Sequence, residues 1–406
     1  MPERLAALAV DCGNLPVSGG LLAIVRPALE RLAPGGVLAL TSTARSVAED
    51  LPAWCRVERH DYRGAEPLPD GRTRHLVARG PLGVARVLDG AGDGDGVDDG
   101  DGKMPERADP SSGFAPRGAR VEPGGPAYPF TLVERARVAP PEAAQLYQQA
   151  LAAQWDAARD IAWSAIAPLP PALDRAVGQV MTFLAENELS ALYVPSRFVA
   201  RLHPAYVEVA QFLSSQLGDE SRHIDAFLRR ARAAGGLGVS SATTSRSLLS
   251  LLELDDFTEA SFLLSVLGEG TFLDLLRFLE RHAPDEPTAD LARRARADEA
   301  RHVHFGVAHV RHALAHDPTL YARLEAAVAR RAATLSGSAG VPAPIQDALT
   351  ILAARGDDPP SVARGHEAFR ELLADMHDGR IKRLLTAGFT LAQATRISDL
   401  HTPNFM

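Results

Sequence analysis

The sequence predicts a multidomain protein: an N-terminal α/β two-layer sandwich followed by an all-α helical bundle. Three observations predict it. Residues 1–87 alternate short apolar strands with amphipathic helices, and residues 128–406 read almost wholly as long helices. Between them, residues 88–127 are dominated by Asp, Gly and Pro. The chain has 406 residues, 46% hydrophobic and 23% charged, which is the composition of a globular protein with at least one large core. A net charge of -8 gives nothing that would draw the protein to nucleic acid or an anionic membrane. Cys12 and Cys55 are the sole cysteines and cannot build a disulfide framework, which fits a reducing cytoplasm. The apolar stretch before Asp11 is too short for a signal segment, and no 18-residue apolar run follows. The expectation is a cytoplasmic protein without membrane or nucleic-acid partners.

In the N-terminal part, Leu5–Val10 reads as a buried strand and Leu21–Leu32 as a helix stopped by Pro34-Gly35-Gly36. Val37–Leu40 is a second strand and Ala44–Trp54 a second helix; Arg56–Tyr62 and Thr73–Ala78 complete a βαβαββ order. From Asp89 to Gly102 the chain is six Asp, six Gly, Ala91 and Val97. Glycine entropy and Asp repulsion predict a mobile linker there. It lacks the D-x-D-x-D-G spacing and closing Glu of a calcium loop.

Helices are expected at about 142–163, 171–200, 204–234, 257–282, 287–316 and 318–335, then near 343–355 and 361–395. Short connections make them an elongated antiparallel bundle. Two segments repeat one another inside it: Asp219-Glu220-Ser221-Arg222-His223 and Asp298-Glu299-Ala300-Arg301-His302, 79 residues apart. Spacing i, i+3 puts each Glu and His on one helix face, among apolar neighbours such as Phe212, Leu213, Val303 and Phe305. A carboxylate buried there is costly unless a cation neutralises it. A carboxylate-bridged two-metal site needs one more carboxylate from the helix preceding each copy. Glu269 lies 30 residues before Glu299, and Glu188 lies 32 before Glu220, with Glu186 competing. Four carboxylates and two neutral imidazoles balance two divalent cations.

This duplicated frame resembles the ferritin-like non-haem di-iron carboxylate superfamily, most closely in motif the bacterial multicomponent monooxygenases and soluble acyl-carrier desaturases, over residues 140–316. The resemblance implies Glu188, in preference to Glu186, together with Glu220, His223, Glu269, Glu299 and His302 as ligands of two iron ions, or of mixed iron and manganese. It implies Asp219 and Asp298 as the groups holding the histidine N–H, with Arg222 and Arg301 beside them. It also implies an oxidoreductase that activates dioxygen to hydroxylate, N-oxygenate or desaturate a small organic substrate. No flavin or iron–sulfur motif is present, so electrons come from a ferredoxin or reductase; pairing into a homodimer stays open. Departures narrow the subclass. The radical Tyr of a ribonucleotide reductase small subunit is replaced by Phe227, the crosslinking Tyr of ligand-binding oxidases by Leu264, and the proton-relay Thr of monooxygenases by Leu273, with Thr271 out of register. Tyr193 and Tyr206 are the nearest tyrosines in sequence, and neither is placed to store an oxidising equivalent. Trp155 and Trp163, read on the helix before Glu188, are candidates for electron transfer or for core. Two rival readings remain: ferritin- or rubrerythrin-like iron storage or peroxide detoxification, and a non-catalytic metal-stabilised scaffold.

Residues 5–80 resemble the TusA/SirA sulfur-carrier family through Asp11, the helix Leu22–Arg26, Pro34-Gly35 and Leu51–Cys55. Where that family carries its persulfide Cys, this chain has Ser18, which reads as an N-cap. Cys12 reads as a small apolar residue at a strand end, and the domain as a degenerate carrier. Of the remaining candidates, Gly235-Gly-Leu-Gly238 follows a helix and is a turn, while His304, His309, His312 and His316 should be mostly exposed.

Overall fold

The chain folds as two units, Met1–Asp89 with Ala119–Gly125 and Gly90–Gly118 with Pro126–Met406. The computed structural model describes residues 6–80, 103–119, 121, 125–335 and 341–401. The first unit runs β1 (Leu8–Asp11), α1 (Leu22–Glu30), β2 (Val37–Ser42), α2 (Val47–Val57), β3 (Asp61–Pro67) and β4 (Thr73–Ala78). The sheet order is β1-β2-β4-β3, with β1 and β2 parallel and β4 antiparallel to both neighbours. Leu38, Leu40 and Val77 pack with Val25, Leu29 and Leu51 into one core.

Two local expectations change. The third strand starts at Asp61 instead of Arg56 because α2 continues to Val57 and Arg59 then turns the chain at a φ of 57°. Ser18 does not cap α1. It is exposed in a short 3-10 turn, Val17–Gly19, and Gly20 at φ 106° separates that turn from the helix. Cys12 is buried in the core, and burial followed by the neighbouring Asp11 raises its thiol pKa.

The helical unit contains α3 (Arg135–Val138), α4 (Ala143–Ala152), α5 (Pro171–Val199), α6 (Val207–Ala233), α7 (Ala242–Leu252) and α8 (Phe257–Ser261). A π-helical segment, Phe262–Glu269, joins α8 to α9 (Gly270–His282). Then come α10 (Glu286–His316), α11 (Leu320–Leu335), α12 (Ala343–Ala354), α13 (Pro359–Thr386) and α14 (Leu391–Leu400). Side chains set many of the starts by accepting from free backbone N–H groups: Asp256 at α8, Asp285 at α10, Asp358 at α13 and Thr390, in a capping box, at α14. None of the described helices is long and apolar enough to cross a membrane.

Sequence and structure part at four places here. The helix expected at 142–163 stops at Ala152, because Asp156 accepts from the N–H groups of Ala158 and Arg159 and competes with helical bonding. Trp155 and Trp163 therefore lie beyond the helix end. The Ser/Thr-rich α7 has a weak intrinsic signal; the Ser241 cap and the hydrogen bonds from Arg331 to Ser247 and Ser250 support it. The final helix breaks at Gly388, whose φ of 99° suits glycine. Within the expected linker, the Asp/Gly run lies outside the described residues. Its later part packs on the helical unit: Ala108 is buried, its N–H donates to the Val133 carbonyl, and His203 bonds the Asp109 carbonyl and Ser112.

Arg230 on α6 has a side chain with no exposure, and it donates from Nε to Thr288 (2.6 Å) and from Nη2 to Asp285 (2.7 Å), the cap of α10. This ion pair ties the two helices that carry the repeated motifs. Removing one partner of a buried pair strands the other charge. Arg230→Ala is expected to lower stability by about 3 kcal/mol, as seen in chemical denaturation of the full chain.

Candidate metal centre

Glu188 on α5, Glu220 and His223 on α6, Glu269 at the end of the π-helical segment, and Glu299 and His302 on α10 come together in the bundle interior, each at most 3% exposed. Two groups form: Glu188, Glu220, His223 and Glu299, and then Glu220, Glu269, Glu299 and His302. Within each, one oxygen or nitrogen per residue lies within 4.8 Å of all the others. Glu220 and Glu299 belong to both groups, and each group adds one Glu and one His of its own. Glu186 stays outside, half-buried, accepting from the Ser240 hydroxyl at 2.6 Å.

The backbone positions Glu269 unusually. At the end of the π-helical segment the Gly270 N–H reaches back five residues to the Ser265 carbonyl, a widened turn of a kind common at functional sites. Gly306 on α10 permits this segment to approach, since a Cβ there would meet the Ser265 Cβ at 2.6 Å.

Each histidine is oriented by the other motif's aspartate. His223 Nε2 donates to Asp298 at 3.1 Å, and His302 Nε2 donates to Asp219 at 3.2 Å. Carboxylates only accept, so Nε2 carries a proton in each ring, and the neutral form of each would turn its Nδ1 lone pair inward. His223 Nδ1 lies 3.3 Å from Glu220, 3.5 Å from Glu299 and 3.6 Å from Glu188; His302 Nδ1 lies 3.1 Å from Glu220. Arg222 pairs with Asp219 and reaches Asp298 at 3.1 Å, while Arg301 pairs with Asp298 and reaches Asp219 at 3.3 Å. The two motifs are thus cross-braced.

Three further groups support this site, of which the sequence singled out Trp155 only as a candidate for electron transfer or for core. Trp155, beyond the end of α4, donates its indole N–H to Asp298 at 2.7 Å and stacks over His223. Gln154 donates to Asp219 at 3.3 Å and accepts from Arg222. Gln216, one turn before Glu220, donates to Glu269 at 3.0 Å from a buried position. A polar residue on the inward face one turn from a ligand is the signal that could have found Gln216.

Other singled-out residues lie elsewhere. Tyr193 is 58% exposed, Tyr206 donates to the Val133 carbonyl, and Phe227 packs beside His223. Thr271 donates to the Leu267 carbonyl and accepts from Arg380. His309, expected with its helix neighbours to be largely exposed, is fully buried, and burial lowers its pKa to about 4.

Electrostatics test whether cations fit. Buried atoms Glu188 Oε1, both Glu220 oxygens, Glu269 Oε2 and His223 Nδ1 have no hydrogen-bond partner in the protein, and all belong to the cluster. Burial, then Glu220 and Glu299, push the Glu188 carboxyl well above its ordinary range; burial, then Glu299, do the same for Glu269. Burial alone would depress both histidines, but Asp298 and Glu188 hold His223 well up, and Glu220 and Asp219 hold His302 well up. Unpartnered His223 Nδ1 and Glu220 Oε2 face one another at 3.3 Å, and the donor set around them, four carboxylates and two imidazoles, matches that of a dinuclear iron or manganese site. The Glu/His clusters are able to bind such a pair.

No protein-family model matches the sequence, and no curated protein does. Among solved structures, similarity is found to R2-like ligand-binding oxidases. One is a variant with an aerobically reconstituted Mn/Fe cofactor, at 18% identity and a TM-score of 0.44, covering 64% of this chain and 94% of that one. A second, with a reconstituted metal cofactor after photoconversion, has the same figures; a further Mn/Fe variant is covered over 97% of its length.

With no metal added, Glu188, Glu269, His223 and His302 all hold protons more tightly than in an unfolded chain. Their contribution is present below the unfolded pKa and is lost as pH rises through the folded one. The metal-free chain is therefore expected to lose thermal stability as pH rises above the ordinary histidine range. A Glu188→Gln, Glu269→Gln double variant should flatten that slope, as read by unfolding scans at fixed ionic strength.

Proposed function

We propose that this chain is a dioxygen-dependent oxidoreductase whose two bound iron ions, or iron and manganese, oxidise a small organic substrate. The single observation that carries the reading is the sharing of buried Glu220 and Glu299 by two Glu/His groups. Glu188 with His223 would hold one ion, Glu269 with His302 the other, and Glu220 with Glu299 both. When bound, the pair supplies the reduction of dioxygen and the oxidising power that substrate receives.

The protein's part is placement and protection. Asp298 and Asp219 keep the histidine protons on Nε2, so each Nδ1 stays a donor to the centre. Gln216 fixes one oxygen of Glu269 and leaves the other free. Apolar neighbours, Phe212 and Phe227 among them, exclude water. Trp155, itself buried, forms with Asp298 and His223 a hydrogen-bonded chain leading to the centre, and we read it as part of the route for electrons from an external reductase or ferredoxin. The N-terminal unit is read as a carrier-like module without persulfide chemistry, since Ser18 stands where the thiol would be.

Protein produced with ample iron should hold about two metal atoms per chain by elemental analysis. Under about half an atom would overturn the reading, and loading far beyond two would favour storage. Glu220→Ala and Glu299→Ala should each lose both ions, Glu188→Ala about one. Ser221→Ala, exposed on the same helix, should lose neither.

Trp155→Phe should keep the metals and slow re-reduction of the centre by at least tenfold in stopped flow. Freeze-quenched samples of the reduced protein mixed with dioxygen should show no long-lived tyrosyl signal, because Phe227 occupies the adjacent position.

A further inference from the structure

The two halves of the centre hold their histidines alike and their unshared glutamates differently. Each imidazole donates Nε2–H to an aspartate of the opposite motif, and both aspartates are gripped by Arg222 and Arg301. Glu220 and Glu299 belong to both groups, so they favour neither. The difference lies between Glu269 on one side and Glu188 on the other.

Glu269 is anchored from outside the cluster. Gln216 on α6, itself 2% exposed, donates its amide N–H to Glu269 Oε1 at 3.0 Å. The Ser265 hydroxyl, four residues earlier in the π-helical segment, also hydrogen-bonds this carboxyl. Oε2 is left without a partner, so one oxygen is fixed and the other kept available. Glu188 has no such anchor among the described residues. Its Oε1 has no partner, and its Oε2 faces His223 Nδ1, 3.6 Å away inside the cluster. The sequence explains the contrast. Position 295, which follows Gln216 by the 79 residues that separate the motifs, is Ala, and four residues before Glu188 stands Leu184. Neither side chain has a hydrogen to donate.

A carboxylate that is immobilised only when an ion arrives loses its rotamer freedom at that moment, whereas one already held by a buried donor has little left to lose. Partners of this kind contribute roughly 10- to 100-fold in metal affinity. We infer that Gln216 is a positioning residue that makes the Glu269–His302 position the tighter of the two and the first to fill. The Glu188–His223 position fills second. This ordering deepens the dinuclear reading and rests on it.

The test is titration of the metal-free, full-length chain with Mn(II) alone, without dioxygen, with free Mn(II) read from its electron paramagnetic resonance signal. Two classes of site are expected, one ion per chain in each, separated by about tenfold in affinity. Glu188→Ala should remove the weaker class and Glu269→Ala the tighter. Gln216→Met keeps the length of the side chain and removes its donor. It should weaken the tighter class about tenfold and leave the weaker within about twofold, whereas a general loosening of the bundle would weaken both. Ser265→Ala, a smaller change on a different element, should weaken the same class by a lesser factor. Equal affinity for both ions in the unaltered chain, loss of the tighter class in Glu188→Ala, or an unchanged tighter class in Gln216→Met overturns the inference and leaves the dinuclear site standing. A chain that takes up no Mn(II) overturns both.

Discussion

Four carboxylates and two imidazoles share one dry space, and the rest of the helical unit is arranged around that burden. Even after relaxation, an uncompensated buried ion costs several kcal/mol. Without added cations the protein relieves the pressure with protons, which is why Glu188 and Glu269 resist ionisation and both histidines resist losing their charge. Two divalent ions would replace those protons and satisfy the lone pairs that the protein leaves unpartnered. The Asp219–Arg222 and Asp298–Arg301 pairs lock the surrounding layer, each reaching across to the opposite motif, so neither α6 nor α10 can slide without breaking the other's contacts.

The two halves are alike in sequence and unlike in support. Gln216 grips Glu269, and the equivalent position in the other motif, 79 residues on, is Ala295, which offers no such bond to Glu188. Asp298 receives an indole N–H from Trp155, whereas Asp219 receives an amide from Gln154. Among the described residues, a π-helical segment leads to Glu269, whereas the helix carrying Glu188 is α-helical throughout. A duplicated motif has thus diverged in the groups that support each half.

The duplicated Asp-Glu-x-Arg-His frame was readable because each copy sits in a helix, where i, i+3 spacing alone fixes which side chains share a face. Glu269 is the sole charge between Glu259 and Asp274, which marks it in the sequence. Between Glu186 and Glu188 the residues alone were ambiguous, as both are glutamates in one helical turn; packing decides, since Ser240 engages Glu186 and the interior encloses Glu188. Helix limits followed from Pro, Gly and capping Asp, which act within a few residues. They failed at Asp156, where a side chain competed with the helix, and at α7, whose weak propensity is offset by Arg331 from a distant helix.

By itself the sequence determined the two-part division, the helical nature of the larger part and the chemical types that meet at its centre. These depend on composition and on periodicity along one chain segment. Tertiary structure alone decided that Glu220 and Glu299 are shared, that each aspartate serves the opposite histidine, and that Trp155 and Gln216 join the site. The physical reason is one of range. Those relations are contacts between residues 50 to 150 positions apart, and their energies come from exclusion of water at the meeting of several helices, which no local pattern encodes.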